Sequence, residues 1–362
     1  MTTTRPQVGA AQPQVGAAQP QVGAAQPQVG AAQPQAGAAK PEVGAVQPEP
    51  RRFRREDVRR FFPILLLVVL VAIFSLASPR FLQFNNLMIV AQQAVVLLVA
   101  ALGMTFVIIA GSIDLSVGAI VALAALVAAA TSASLGVFAI VPACAIGLAC
   151  GLINGLVVAK GKVPSFIVTL GAMVVYRGIV LYFTRGAPIS IEDEGFLDVY
   201  SGRTVGIPHS VLIALALIVV AAVILNFTVF GREVRAIGGG ERIAHLTGIR
   251  VDRVKIAIFA LLGLLCGMAG LLQGARSMAA TAQLGEGLEL DAIAAVVVGG
   301  TPLTGGIGSI QGTILGALII TILSNGMNII GLDPYFQNIV KGLVLVLSVF
   351  VTIDRKKIGI IK

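Results

Sequence analysis

A chain of 362 residues that is 57% hydrophobic and only 12% charged has a mean hydropathy of +0.94. Water-soluble domains keep about a quarter of their residues charged, so this composition excludes a soluble globular protein and calls for lipid around most of the surface. The net charge of +9 would suit a nucleic-acid binder, but the basic residues flank apolar runs as topology anchors do; membrane lipid, not nucleic acid, is the expected surrounding.

Residues 6–47 repeat with a period of seven, four times as PQVGAAQ and then as PQAGAAK and PEVGAVQ. Heptads suggest a coiled coil, but proline in every unit removes a helix hydrogen bond and clashes with the preceding turn. Gly, Ala, Gln and Pro without bulky apolar residues cannot bury enough surface to fold. Residues 1–50 are therefore expected to be a disordered tail, and the start lacks the apolar core of a secretory signal. Residues 51–61 carry six arginines, Arg51, Arg52, Arg54, Arg55, Arg59 and Arg60. They read as a cytoplasmic anchor, with a polybasic patch for anionic lipid as the other role open to them.

From 62 to 357 the chain is expected to form an all-α, polytopic transmembrane bundle with broken or re-entrant helices. A helix crosses the hydrocarbon core with about 20 apolar residues. Candidate spans are 62–78, 87–110, 117–133, 135–158, 163–184, 209–229, 256–278, 291–304, 308–330 and 336–353. The eighth is too short to cross alone, which suggests a half-helix or part of a broken span. Ten crossings from a cytoplasmic amino terminus place four basic segments inside: six residues in 51–61, two in 159–162, six in 229–255 and four in 354–362. The outside loops hold only Arg80, Arg185 and Arg203. That asymmetry follows the positive-inside rule and puts both termini, including the short tail 358–362, in the cytoplasm.

Ionisable and polar residues inside a membrane are costly, so each is a functional hypothesis. The first lies in Gly103 to Gly118, where Asp114 and Ser116 interrupt a long apolar run between glycines. Asp114 is expected to cap the helix that follows, to line a translocation path, or both, since broken helices often line such paths. Asn154, in the fourth span, is a further candidate. Later, Glu289 and Asp291 precede a short apolar stretch that ends at Gly299-Gly300-Thr301. The acids suit a first helical turn; the glycines allow a re-entrant turn. Thr301 and Asn325 complete the path candidates, although amides between membrane helices also serve packing.

The cytoplasmic segment 229–255 is longer than a simple connector. A helix start near Glu241 and a glycine stop at Gly248 predict a short surface helix. The chain has no Walker A sequence, GxSxG or HExxH motif, and its three cysteines and two histidines form no metal-ligand spacing. It is not expected to be an enzyme, and no cofactor or metal is expected.

Together these segments resemble the permeases of ribose-, xylose- and galactose-type ABC importers. That family's IDLSVG element appears as Ile113 to Gly118, and its ELDAIAAVVxGGT element as Glu289 to Thr301. The similarity runs from about Phe62 to Lys357. It implies alternating access by a homodimer or pseudo-dimer in the bacterial inner membrane. It also implies a cytoplasmic ABC ATPase subunit and an extracytoplasmic sugar-binding protein. The 229–255 loop then resembles a coupling segment, with Glu241, Arg242, Ala244 and Gly248 as ATPase-coupling candidates; Arg242 or Ile243 stands where the pattern has a small residue. The other class open to such a chain is an ion-coupled transporter of a small polar solute, with Asp114, Arg177 and Arg276 as relay groups.

Overall fold

The computed structural model describes residues 55–352. The repeat tail, Arg51 to Arg54 of the anchor, and everything after Thr352 lie outside the described residues. The described chain is almost wholly helical. The first helices are α1 (Arg55–Ala77), α2 (Phe84–Ile109), α3 (Val117–Leu135), α4 (Ile140–Gly161) and α5 (Ser165–Thr184). After a short α6 (Glu194–Ser201) come α7 (His209–Phe227), α8 (Val229–Gly239), α9 (Glu241–Leu246) and α10 (Val251–Ser277). The last three are α11 (Leu288–Val298), α12 (Ile310–Ile329) and α13 (Pro334–Thr352).

Six helical stretches among the described residues are long and apolar enough to cross a bilayer, one of them the 45-residue run Val117–Gly161. A 3-10 turn at Gly136–Ala139 divides that run into α3 and α4. Inside a membrane a backbone must satisfy its own polar groups, which is why the apolar runs fold as helices. Each of the ten expected spans falls on a helix. α11 is shorter than its expected span, at 11 residues, or roughly 16 Å at 1.5 Å per residue.

The expected breaks are present. Seven residues, 110–116, separate α2 from α3. The segment 281–287 turns back after α10, so that Gly285 lies against Gly118 and the carbonyls of Ala282 and Leu284 accept from Arg177 Nη1 in the middle of α5. A third non-helical stretch, 299–309, joins α11 to α12 and returns to the end of α2, where Gly306 N donates to Ile109 O at 2.8 Å.

α2, α3 and α10 form the centre, with α11 and α12 beside them. Along α2 every residue from Ala94 to Ile109 is buried. α4 meets α10 through small residues: a Cβ at Gly151 would lie 2.2 Å from Phe259 O, and one at Gly263 would lie 2.3 Å from Gly147 O. Such spacing lets two helix backbones touch where no hydrophobic force favours association over lipid contact. α1, α4, α5, α7 and α13 carry most of the exposed apolar side chains, among them Leu65, Ile153, Val174, Val219 and Val346, as a lipid-facing layer requires.

The two ends of the bundle differ. Beyond the amino-terminal end of α7, α6 joins strands β2 (Arg203–Thr204) and β3 (Ile207–Pro208), which form a hairpin. Strand β1 (Ile189–Ser190) of the same loop pairs with β4 (Ala279–Ala280), just after α10. At the other end of α7 lie α8 and α9.

Candidate functional site: a broken helix, a polar cavity and a surface helix pair

The break at 110–116 holds a buried polar cluster. Asp114 and Ser116 are fully buried and Asn154 nearly so. Asp114 Oδ1 accepts from Ser116 N at 2.7 Å and from Ser116 Oγ at 2.6 Å. Asn154 Nδ2 donates to Ser116 Oγ at 2.9 Å and approaches Asp114 Oδ2 at 3.5 Å. Tyr176 of α5 donates to Asn154 Oδ1 at 3.0 Å. The expected cap on α3 is not what Asp114 makes. Its carboxylate takes up the amide two residues ahead, in an Asx-type turn, and the position before α3 is Ser116, which makes no side-chain cap bond. The acid thus holds the bend itself. The α5 side also closes the bend, since Ser165 and Thr169 accept from the amides of Ile113 and Leu115.

The other path candidates are dispersed. Glu289 and Asp291 occupy the first turn of α11, as the dipole argument expects. Glu289 faces Gly118 of α3, and its Oε2 is buried without a hydrogen-bond partner. Asp291 Oδ2 pairs with Lys341 Nζ of α13 at 3.1 Å. Thr301 is buried in the link to α12, its hydroxyl also without a partner. Asn325 exchanges amide hydrogen bonds with Asn86 at 3.1 and 3.2 Å, which is a helix-packing contact between α12 and α2.

A cavity of about 240 Å³ lies among α2, α10, α11 and α12. Gln93, Gln273, Arg276 and Asp291 line it, with Thr321, Ser324 and Asn328 from α12. Of these, Asp291 is a sequence candidate for the path, Asn328 a weaker one among the intramembrane amides, and Arg276 a relay candidate of the ion-coupled alternative. Gln93, one of the adjacent pair Gln92-Gln93, and Gln273 are amides within apolar runs, but helical spacing alone does not say that both face one space. Tyr176 carried no sequence signal at all.

At the opposite end of α7, α8 and α9 form the expected surface structure. Thr228 caps α8 by accepting from Gly231 N at 3.2 Å. α9 starts at Glu241 and ends at Leu246. Gly248 follows at φ +87°, its amide bonded to His245 O and that of Ile249 to Ala244 O. This is a Schellman stop, which needs a left-handed residue at that position. Glu241 pairs with Lys255 at 2.7 Å, and Asp252 with Lys162 at 2.8 Å. Ala244 is buried, whereas Ile243 is 67% and Leu246 77% exposed. Beside them Arg242 lines a surface hollow together with Glu241, His245 and Leu246. α8 in turn touches the broken segments: Gly238 packs on Ile109 O and Gly306 N.

The described residues form a helical membrane bundle with buried polar breaks and an exposed helix pair at one end, and comparison with known proteins gives its class as a transporter's permease component. The chain belongs to the family described as the branched-chain amino acid transport system permease component, which matches residues 86–349. It is a transporter subunit and not an enzyme. It is 42% identical over 303 residues to the ribose import permease protein RbsC of Escherichia coli K12, covering 81% of this chain and 93% of that one. Against the ribose import permease protein RbsC of Bacillus subtilis 168 the identity is 44% over 299 residues, covering 82% and 92%. The galactose/methyl galactoside import permease protein MglC of E. coli K12 is 38% identical over 308 residues, covering 78% and 91%. No solved structure matches the chain.

Proposed function

We propose that this chain is the membrane-spanning permease of an ATP-driven monosaccharide importer in the bacterial inner membrane, for a ribose-like pentose or a hexose. The observation that carries this reading is the 42% identity to a ribose import permease across 93% of its length. Two copies, or this chain with a second permease, enclose the path. An ABC ATPase pair docks on α8 and α9 in the cytoplasm, and an extracytoplasmic binding protein delivers the sugar from the end that carries α6 and the β2–β3 hairpin. Both termini are cytoplasmic, in keeping with the basic residues of 159–162 and 229–255. ATP binding moves the α8–α9 pair, and Gly238 carries that movement to the end of α2 and to the 299–309 link.

The ion-coupled alternative needs a relay of ionisable groups. Asp114 is engaged by Ser116 and Asn154, Arg177 by backbone carbonyls. These contacts give Asp114 and Arg177 structural duties, and Arg276 stands apart from both at the end of α10, which favours the ATP-driven reading.

The test is uptake into proteoliposomes that hold the permease with its ATPase. Uptake should require ATP and a sugar-loaded binding protein; uptake driven by a proton gradient without ATP refutes the proposal. Gly248→Val places a β-branched side chain in the left-handed region, at a cost of about 1–2 kcal/mol. It should release the Schellman stop and weaken copurification of the ATPase. Glu241→Lys, which turns the contact with Lys255 into a repulsion, should act in the same direction by less, because exposed pairs are worth only about 0.2–1 kcal/mol. Full ATPase binding and full sugar-stimulated turnover in both variants would place the docking surface elsewhere.

A further inference from the structure

The cavity among α2, α10, α11 and α12 is lined by groups whose hydrogen-bonding capacity the protein leaves unused. Among the described residues, the side chains of Gln93, Gln273, Arg276 and Thr321 line it without a hydrogen bond to another residue. Thr321 is buried as a residue, but its hydroxyl makes no bond to the protein and opens to the cavity, where it can donate to and accept from a polar occupant. Ser324 donates to Ile320 O and Asn328 accepts from Gln337, which leaves the serine lone pairs and the Asn328 amide hydrogens for an occupant. Arg276 and Asp291 both line the space, yet Asp291 pairs with Lys341 and not with Arg276. Arg276 thus lines the volume without an ion pair, while the charge of Asp291 is met by Lys341.

The wall chemistry selects the occupant. Lys341 neutralises Asp291, so the site has no free anion for a cationic ligand. The other polar groups, apart from Arg276, are amides and hydroxyls. These donate and accept at once, as sugar hydroxyls do. Val96, Leu97, Leu288 and Ile320 supply aliphatic faces for the C–H side of a sugar ring. The cavity is also graded. Thr321 is buried, Gln93 and Gln273 are half-buried, and Arg276 and Asn328 are exposed. Arg276 ends α10 directly before β4, which pairs with β1 of the loop that carries α6 and the hairpin. The open side therefore faces the end where the binding protein would release its cargo.

We infer that this cavity is a sugar-binding waypoint within the permease, where a neutral polyol makes hydrogen bonds to Thr321 and Gln273 on its way across. This rests on the sugar-importer reading and adds to it a permease that recognises its cargo instead of enclosing a bare channel. Without an aromatic ring in the lining, the contact is by hydrogen bonds and aliphatic faces alone, so it is weak and transient.

The experiment measures sugar delivered per ATP hydrolysed. It uses proteoliposomes that hold the complete permease–ATPase complex, with a ribose-loaded or galactose-loaded binding protein outside. Thr321→Val and Gln273→Leu each remove hydrogen-bonding capacity at nearly constant volume. Each should lower the ratio about threefold to tenfold, the range expected for one lost hydrogen bond, and the double variant should lower it further. Thr321→Ser keeps the hydroxyl and should restore the wild-type ratio. An unchanged ratio in the double variant overturns the inference, whether uptake and hydrolysis both persist or both fall together. An equal loss in Thr321→Ser and Thr321→Val overturns it as well, since that is the signature of packing. If the wild-type complex imports neither sugar with ATP, the sugar-importer reading fails first and this inference falls with it.

Discussion

Gly238 offers the sharpest test of how the surface helices reach the membrane core. A Cβ at this position would lie 1.7 Å from Ile109 O and 2.4 Å from Gly306 N. Ordinary contact begins near 3.4 Å, so Gly238→Ala requires α8 to withdraw by about 1.7 Å, or the end of α2 and the 299–309 link to yield together. Overpacking of this kind costs about 1–3 kcal/mol. Weakening the Gly306 N to Ile109 O bond adds about 1 kcal/mol. Against this stands the helix preference for alanine over glycine, roughly 0.8–1 kcal/mol. The net expectation is a destabilisation of about 1–3 kcal/mol, and its sign is informative. If Gly238 were an unconstrained helix position, alanine would stabilise the protein. Gly239→Ala is the control, because a Cβ there would meet nothing within 4 Å. Hydrogen exchange at the Gly306 amide, with thermal unfolding in detergent, reads the effect. Gly238→Ala should speed that exchange and reduce sugar uptake per ATP, while Gly239→Ala should do neither. A Gly238→Ala variant that melts higher than wild type and couples normally would refute the close contact and the route of motion assigned to it.

Asp114 and Val205 yield two further expectations. Asp114→Leu strips the acceptor from the Ser116 amide, the Ser116 hydroxyl and the Asn154 amide. At about 1–3 kcal/mol for each stranded group, the folded yield on size-exclusion chromatography should collapse. Asp114→Asn keeps an acceptor for Ser116, sets its own amide hydrogens against Asn154, and should lower the thermal midpoint only modestly; equal yields of Asp114→Leu and wild type would show that the bend does not depend on the acid. Val205 sits at φ +53° at the tip of the β2–β3 hairpin and is 96% exposed, a conformation that asparagine tolerates better at such turns. Val205→Asn should therefore raise the thermal midpoint slightly, and a lower one would reveal packing against the tip.

Much of this protein is dictated by composition alone. Long apolar runs in a lipid setting have to become helices, because no other open structure satisfies the backbone without water. The interruptions are as legible: glycine and an acid at 110–116, the diglycines at 299–306, and the Glu241 to Gly248 pattern all mark places where a helix stops, and each falls at a break or a surface helix in the fold. What the sequence could not decide is which interruptions meet. Asp114, Asn154 and Tyr176 come from three separate segments and join only because α3, α4 and α5 pack together, while Asn325 turns instead to Asn86. Gln93 and Gln273 share a cavity because α2 and α10 cross there with the right faces turned inward. In an apolar helix every face looks alike to a period count, so rotation about the axis is set by small-residue contacts such as Gly151 on Phe259, and those exist only once the helices have met.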